Sequence, residues 1–344
     1  MQVSIDVGYG FTKALSGSGG RSVFPSAVSV ARGSGDLAKA LGGGAQKHRL
    51  SVQVKSDLRP REYLVGTAAL SAGASRSWDT SGSGRDDYLG LVLAALGAIE
   101  ADGPVDVALG LPLAVYLQRD ERRALRDRVA GLSAWVSWDG RDARRVEILS
   151  VKVLPQAVGA YYSALISANG ERLAGQMVGV IDVGYHTTDY LLMTPGDGGM
   201  SVPDEGRSGS LDAGMSQAID AARVYVSEQT GVPFAPPEGM VEATLGNGGH
   251  LTVRGRDIDL RPAYDAALRE LAGRVEAELQ RVWGDRIDYL AALLLAGGGG
   301  AAVATHLNLP GLRVLADPAF ANAAGFLAML ARTQGQAQRG AMAL

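Results

Sequence analysis

The pentapeptide Ile-Asp-Val-Gly-Tyr occurs twice, at Ile5–Tyr9 and at Ile181–Tyr185. Each copy closes an apolar run, Val3-Ser4-Ile5 or Val178-Gly179-Val180-Ile181, and each leads through a polar turn into a second strand-like run. An apolar run with a carboxylate at its end reads as a buried strand delivering Asp6 or Asp182 into a tight turn. Two such units in one chain point to a duplicated domain. The length agrees: 344 residues exceed what one hydrophobic core serves, so two lobes of roughly 150 residues each are expected.

Composition narrows the class. Hydrophobic residues at 47% and charged residues at 20% suit a globular chain able to bury sizeable cores. No continuous apolar run approaches the roughly 18 residues of a membrane span, and no basic segment leads into an apolar one at the N-terminus. The expectation is a cytoplasmic protein without a membrane partner. The absence of cysteine removes disulfides, thiolate metal sites and a cysteine nucleophile. A formal net charge of −3 argues against direct nucleic-acid binding through a broad basic surface.

Residues 1 to 15 read as strand, turn, strand. Loops are expected at Gly33 to Gly44 and at Trp78 to Gly84, with alternating strands at 50–54 and 62–66 between them, together an exposed subdomain at about 33–80. Residues 86–101 form a helix whose buried face carries Leu89, Val92, Leu93, Leu96 and Ile99. A charged helix at 119–132 turns Leu125, Val129 and Leu132 inward, and Asp139-Gly140 signals a hairpin. A strand at 146–155 and a helix at 156–168 lead to the second lobe. There the spacing predicts strands at 177–183 and 190–193, a helix at 212–229 and a small subdomain at about 232–262. A helix at 265–283 follows, with Leu268, Leu271, Val275, Leu279 and Val282 on one face. A strand at 290–296 runs into Gly297–Gly300, and a closing helix at 318–330 precedes a frayed tail at 332–344. The expected division is domain I at 1–160, with the closing helix 318–331 packing back on it, and domain II at 161–331.

Phosphate suits the two turns. Gly8, Gly10 and Gly184 allow close backbone approach, Thr12, Thr187 and Thr188 offer hydroxyls, and Lys13 is a cation. Asp6 and Asp182, facing each other across a cleft, could hold Mg²⁺ through its waters. The alternative is that Asp6, Asp182 and Asp189 only cap turns. The run Gly297–Gly300 could take a flat base or ribose against bare backbone, or serve as an ordinary turn.

Three stretches in order, Ile5-Asp6-Val7-Gly8, Ile181 to Asp189 and Leu295-Ala296-Gly297-Gly298-Gly299, resemble the two phosphate motifs and the adenosine motif of the actin-like ATPase superfamily. More narrowly, Gly110-Leu111-Pro112, Val151 to Ala160 and Asp317 to Phe326 look like the ParM-type plasmid-segregation actins and their archaeal relatives. The resemblance covers about residues 3 to 330. It implies an α/β, actin-like two-lobed fold of duplicated ribonuclease-H-like domains with a nucleotide cleft between them. It also implies that Asp6 and Asp182 flank Mg²⁺, that Gly8, Tyr9, Gly10, Thr12 and Lys13 wrap the phosphates of ATP (or GTP) from one side, and that Gly184, Tyr185, His186 and Thr187 wrap them from the other. Gly297, Gly298 and Gly299 fall at the adenosine, and Gln156, with Asp182, falls at the catalytic position near the attacking water.

Tyr9, Phe11 and His186 depart from the family pattern, where small or hydroxyl residues are frequent. Tyr9 and Tyr185 are read as either aromatic core or ligand contacts, and His186 as either a phosphate donor or a solvated loop residue. The implied function is a filament-forming ATPase whose partner is itself, head to tail, with plasmid DNA reached through a DNA-binding adaptor. The alternatives are a small-molecule kinase of the superfamily and a polymerising scaffold without turnover.

Overall fold

A computed structural model describes residues 1–31, 48–54, 59–76, 84–167, 170–236 and 239–341. The expected loop at Gly33 to Gly44 lies outside the described residues, as does the one at Trp78 to Gly84 up to residue 83. The chain divides into two compact units, Met1–Pro155 with Ala323–Leu344, and Gln156–Asn322. Gln156 therefore belongs to the second unit, and no shift in composition marks the crossing.

The first unit is built on β1 (Gln2–Val7), β2 (Phe11–Ser16), β3 (Arg21–Pro25), β4 (Val28–Val30), β5 (Arg49–Val54), β6 (Arg61–Val65), β7 (Gly103–Leu111), β8 (Ser133–Trp138) and β9 (Arg144–Pro155). They form one sheet in the order β3-β2-β1-β7-β9-β8-β5-β6-β4. Strands β1, β7 and β9 are mutually parallel neighbours, while β2 and β3 add antiparallel to one side. The strands expected in an exposed subdomain, β5 and β6, instead continue this sheet through β8, with Leu50, Val52, Leu64 and Val65 buried. Alternating apolar residues gave them an inner face, and β8 supplied the edge on which they pair.

Helix Gly84–Ala98 is buried nearly all round from Leu91 to Gly97, not on one face. Its glycines explain this: Gly90 lies against Val28 and Gly97 against Val136 and Trp138, where no side chain would fit comfortably. Helix Arg119–Val129 buries Leu125 and Val129 as its spacing predicts. The hairpin between β8 and β9 turns on Asp139 and Gly140, both at positive φ (53° and 73°), the geometry that an Asp-Gly pair favours.

The second unit repeats the plan. Strands β10 (Val178–Val183), β11 (Thr188–Pro195), β12 (Ser201–Pro203), β13 (Gly209–Leu211), β14 (His250–Val253), β15 (Arg256–Asp259), β16 (Ala292–Ala296) and β17 (Leu312–Val314) follow in the chain. The main sheet runs β12-β11-β10-β16-β17, with β13 also on β11. Here β10 pairs antiparallel with β11 and parallel with β16, and β16 parallel with β17. Taken in chain order within each unit, the five-strand cores β3-β2-β1-β7-β9 and β12-β11-β10-β16-β17 are the same arrangement. The repeated pentapeptide sits on the central strand of both.

Helix Arg261–Trp283 buries Leu268, Leu271, Val275 and Leu279 on this sheet, and its last anchor is Trp283, whose indole donates to the Arg207 carbonyl (2.7 Å); Val282 is half-buried. The hairpin β14–β15 and helix Met240–Gly246 pack on helix Met215–Thr230 through Val241, Ile258, Leu260, Ile219 and Val226. Among the described residues no helix is long and apolar enough to cross a membrane.

The last helix runs Ala321–Ala341, beyond the expected tail boundary at 332, because the Gln- and Ala-rich sequence holds no proline to stop it. In the first unit its Phe326 is fully buried with Ala108, Leu154 and Leu330. Phe326→Ala should cost about 3–5 kcal/mol of stability, seen as a lower urea midpoint in equilibrium unfolding.

Candidate functional site

The two hairpins that carry the pentapeptide share one register and one turn hydrogen bond. Gly8 N–H donates to the Phe11 carbonyl (3.2 Å), and Gly184 N–H to the Thr187 carbonyl (2.9 Å). Val7 pairs with Thr12 and Asp6 with Lys13; Val183 pairs with Thr188 and Asp182 with Asp189. The structural counterpart of Thr12 is therefore Thr188. Each turn must be tight at its glycine, since a Cβ would lie 3.1 Å from the Phe11 carbonyl oxygen at Gly8 and 2.8 Å from the Thr187 oxygen at Gly184.

In the first unit Asp6 is 1% exposed and its Oδ2 lies 3.4 Å from Lys13 Nζ. The Lys13 ammonium thus turns onto Asp6, its cross-strand neighbour. Burial, and then the Asp6 charge, push the nearby Tyr88 phenol far above its ordinary range and keep it neutral. Gly110 of β7 clears space for this carboxylate: a Cβ there would sit 2.9 Å from Asp6 Oδ1 and 2.6 Å from the Phe326 ring.

Thr12, expected to offer its hydroxyl to a ligand, is completely buried and shares a hydrogen bond with Ser26 Oγ (2.9 Å). Ser26 in turn donates to the Gly8 carbonyl (2.6 Å) and its N–H to the Gly10 carbonyl (3.1 Å). Strand alternation turns Thr12 inward, so the pair braces the turn from behind. Tyr9 packs half-buried on the core of its unit, and exposed Phe11 lies under the Arg76 guanidinium, 5.4 Å from the ring centre.

In the second unit Asp182 is 7% exposed and Asp189 3%. Asp182 Oδ2 accepts from Asn322 Nδ2 (2.6 Å), and Asp189 accepts from the Ser210 hydroxyl. Thr188 is buried and donates to the Ala213 carbonyl (2.8 Å), the same inward bracing as Thr12. The turn leans on the start of helix Met215–Thr230: Met215 N–H donates to the Gly184 carbonyl (3.1 Å) and Ser216 N–H to that of Tyr185 (2.7 Å). His186 is exposed, with Nδ1 3.2 Å from Ser216 Oγ and its ring edge-on to Tyr185 at 4.9 Å. Thr187 is half-exposed at the rim of the turn.

The glycine run divides by role. Gly297 takes φ +91°, and a Cβ there would strike the Val183 carbonyl oxygen and Asp182 Oδ1. Gly299 donates to the Val183 carbonyl (2.9 Å) and is packed against Met215. Both are buried, whereas Gly298 is exposed with open space at its Cβ position. Bare backbone is offered outward at Gly298; its neighbours serve the end of β10.

Gln156 is half-buried and precedes Ala157, a buried residue at φ 65°, ψ −41°. Sequence reasoning missed Ser26, Gly214, Ser216 and the bonds made by Asn322. A Cβ on Gly214 would meet the Tyr185 carbonyl oxygen at 2.6 Å, but lone serines, an asparagine and one more glycine among 47 give no local signal.

A sequence profile described as "Actin like proteins N terminal domain" matches residues 4–159, and one described as "Archaeal actin homologue MreB-like, C-terminal" matches residues 180–309. The chain belongs to the actin-like proteins. An archaeal actin homologue of Thermoplasma acidophilum is 27% identical over 332 residues, 94% of this chain and 97% of that protein. Among solved structures, a 15-stranded ParM filament subunit from Clostridium botulinum aligns with a TM-score of 0.82 at 22% identity, covering 95% of this chain and 98% of that one. An archaeal actin homologue in complex with ADP aligns at 0.72 and 22% identity, covering 96% and 99%. The actin-like fold expected from the motifs is thus the fold of the chain.

Gly297→Ala should cost about 1–3 kcal/mol from backbone strain alone, before any collision with Asp182 is counted. Gly298→Ala should stay within about 0.5 kcal/mol of the parent. Urea unfolding of both variants checks the division of roles.

Proposed function

We propose that this actin-like protein is a nucleotide-dependent ATPase that assembles head to tail into filaments. The observation that carries this reading is the duplicated hairpin. Two turns with the same register and the same glycine bond each present a buried aspartate, one in each unit. The backbone of Gly8 to Gly10 and of Gly184 to His186 would bind the β- and γ-phosphates of ATP, or of GTP. The exposed backbone at Gly298 would take the adenosine side. The complex with ADP of a structurally similar archaeal homologue supports nucleotide as the ligand class.

The donor set suits Mg²⁺, which takes one or two carboxylates together with phosphate oxygens and waters. Among the described residues no group of three or more His, Asp or Glu side chains converges, and a phosphate-borne Mg²⁺ requires none. Asp182 fits the role better than Asp6. The Lys13 ammonium already stands beside Asp6, where it would compete with a metal cation, while Asp182 accepts from the Asn322 amide and pairs with Asp189 in the ladder. When bound, Mg²⁺ neutralises charge on the γ-phosphate. The chain's part is positional: the turns hold the phosphates, and Gln156 orients the attacking water.

Head-to-tail contacts that do not close generate open polymers, and the similarity to a ParM filament subunit supports such assembly. Plasmid or other DNA cargo would be reached through a separate adaptor, in keeping with the net charge of −3. A cytoplasmic location goes with this role.

Light scattering and pelleting with ATP and Mg²⁺, run beside phosphate release, test the proposal. The parent should assemble and release phosphate, and Asp182→Ala should lower phosphate release on the order of 100-fold. No assembly and no phosphate release with either ATP or GTP would refute it. Phosphate transfer to a small alcohol without assembly would indicate a kinase instead.

A further inference from the structure

The carboxamide of Asn322 makes three hydrogen bonds to two separate segments of the second unit. Its Nδ2 donates to Asp182 Oδ2 at 2.6 Å, while its Oδ1 accepts from the N–H groups of Ala157 (3.1 Å) and Ala160 (3.2 Å). The side chain is buried, with the residue 5% exposed. A carboxamide can donate through its nitrogen and accept through its oxygen at once without carrying charge. Aspartate would accept both amides but set a second carboxylate against Asp182, and leucine would do neither.

What Asn322 holds on its accepting side is strained. Val158 N–H donates to the Gln156 carbonyl (2.8 Å), so Gln156-Ala157-Val158 is a three-residue turn with Ala157 at its centre. Its φ of 65° and ψ of −41° lie near the rare form of that turn, which an L residue keeps only where its surroundings hold it. Helix Val158–Ile166 begins directly afterwards and has no side-chain cap of its own. Its first-turn amides lack intrahelical acceptors, and Asn322 supplies one from a distant part of the chain.

We propose that Asn322 is a positioning residue that ties the orientation of the Asp182 carboxylate to the backbone of the Gln156–Ala160 turn. One buried amide then links Asp182, assigned to the metal, with the turn that carries Gln156, assigned to the water. The functional half of this inference rests on the nucleotide reading above; the coupling itself does not.

Hydrogen–deuterium exchange on the full-length chain without nucleotide tests the coupling. Asn322→Ala should raise exchange at Ala157–Ala160 about tenfold or more, since two buried amides lose their acceptor. Asp182→Ala, which touches neither amide, should raise it severalfold by freeing the Asn322 side chain. In the double variant Asn322→Asp with Asp182→Asn the donor and acceptor change ends, and protection should return to within about threefold of the parent. Parent-like exchange in Asp182→Ala, or a double variant exchanging as fast as Asn322→Ala, would overturn the coupling.

Titration with ADP, with and without Mg²⁺, reads the functional half. Asn322→Ala should lose chiefly the magnesium-dependent part of the affinity; equal losses in both titrations would make Asn322 structural only. A parent chain that binds no ADP would defeat the nucleotide reading, and the exchange data would still decide the coupling.

Discussion

A carboxylate at the inner end of a β-strand is a costly thing to bury, by several kcal/mol if nothing compensates it. This chain does so twice, at Asp6 and Asp182, and much of the surrounding structure answers that constraint. One carboxylate is met by the Lys13 ammonium, the other by the Asn322 amide. In each unit the strand that runs parallel to the aspartate strand, β7 or β16, also brings a glycine against the carboxylate: Gly110 within β7, and Gly297 just after β16. The Gly-Leu-Pro and Gly-run motifs thus have one physical cause in common, room for a buried carboxylate.

The two hairpins share a backbone and differ in charge. Thr12 and Thr188 occupy the same register position and both brace their turn from within. One position further, Lys13 in the first hairpin corresponds to Asp189 in the second. The first hairpin therefore sets an ammonium beside its aspartate, where the second places a further carboxylate. The ammonium at the first would compete with a metal cation, so the proposed Mg²⁺ falls chiefly to Asp182.

The parts legible in the sequence are those with a local pattern. The repeated pentapeptide, the apolar strands at 178–183 and 292–296, the Asp139-Gly140 turn and the face of helix Arg261–Trp283 follow from periodicity and turn chemistry. Features that depend on orientation or long-range pairing leave no such local pattern. A threonine beside a glycine turn reads as a ligand donor, yet strand alternation turned Thr12 to Ser26. The pair β5–β6 reads as a separate piece, yet β8 joined it to the main sheet. Asn322 was visible only as part of a resemblance, because its three bonds reach residues 140 to 165 positions away.

The proposed function requires both turns to bind the phosphates of one nucleotide. A crystal structure of the chain with Mg²⁺ and ADP tests it most directly. Phosphate oxygens are expected within about 3 Å of backbone N–H groups in both Gly8–Gly10 and Gly184–His186, with the metal on the Asp182 side. A nucleotide bound through one turn alone, or at a surface that includes neither, would contradict it.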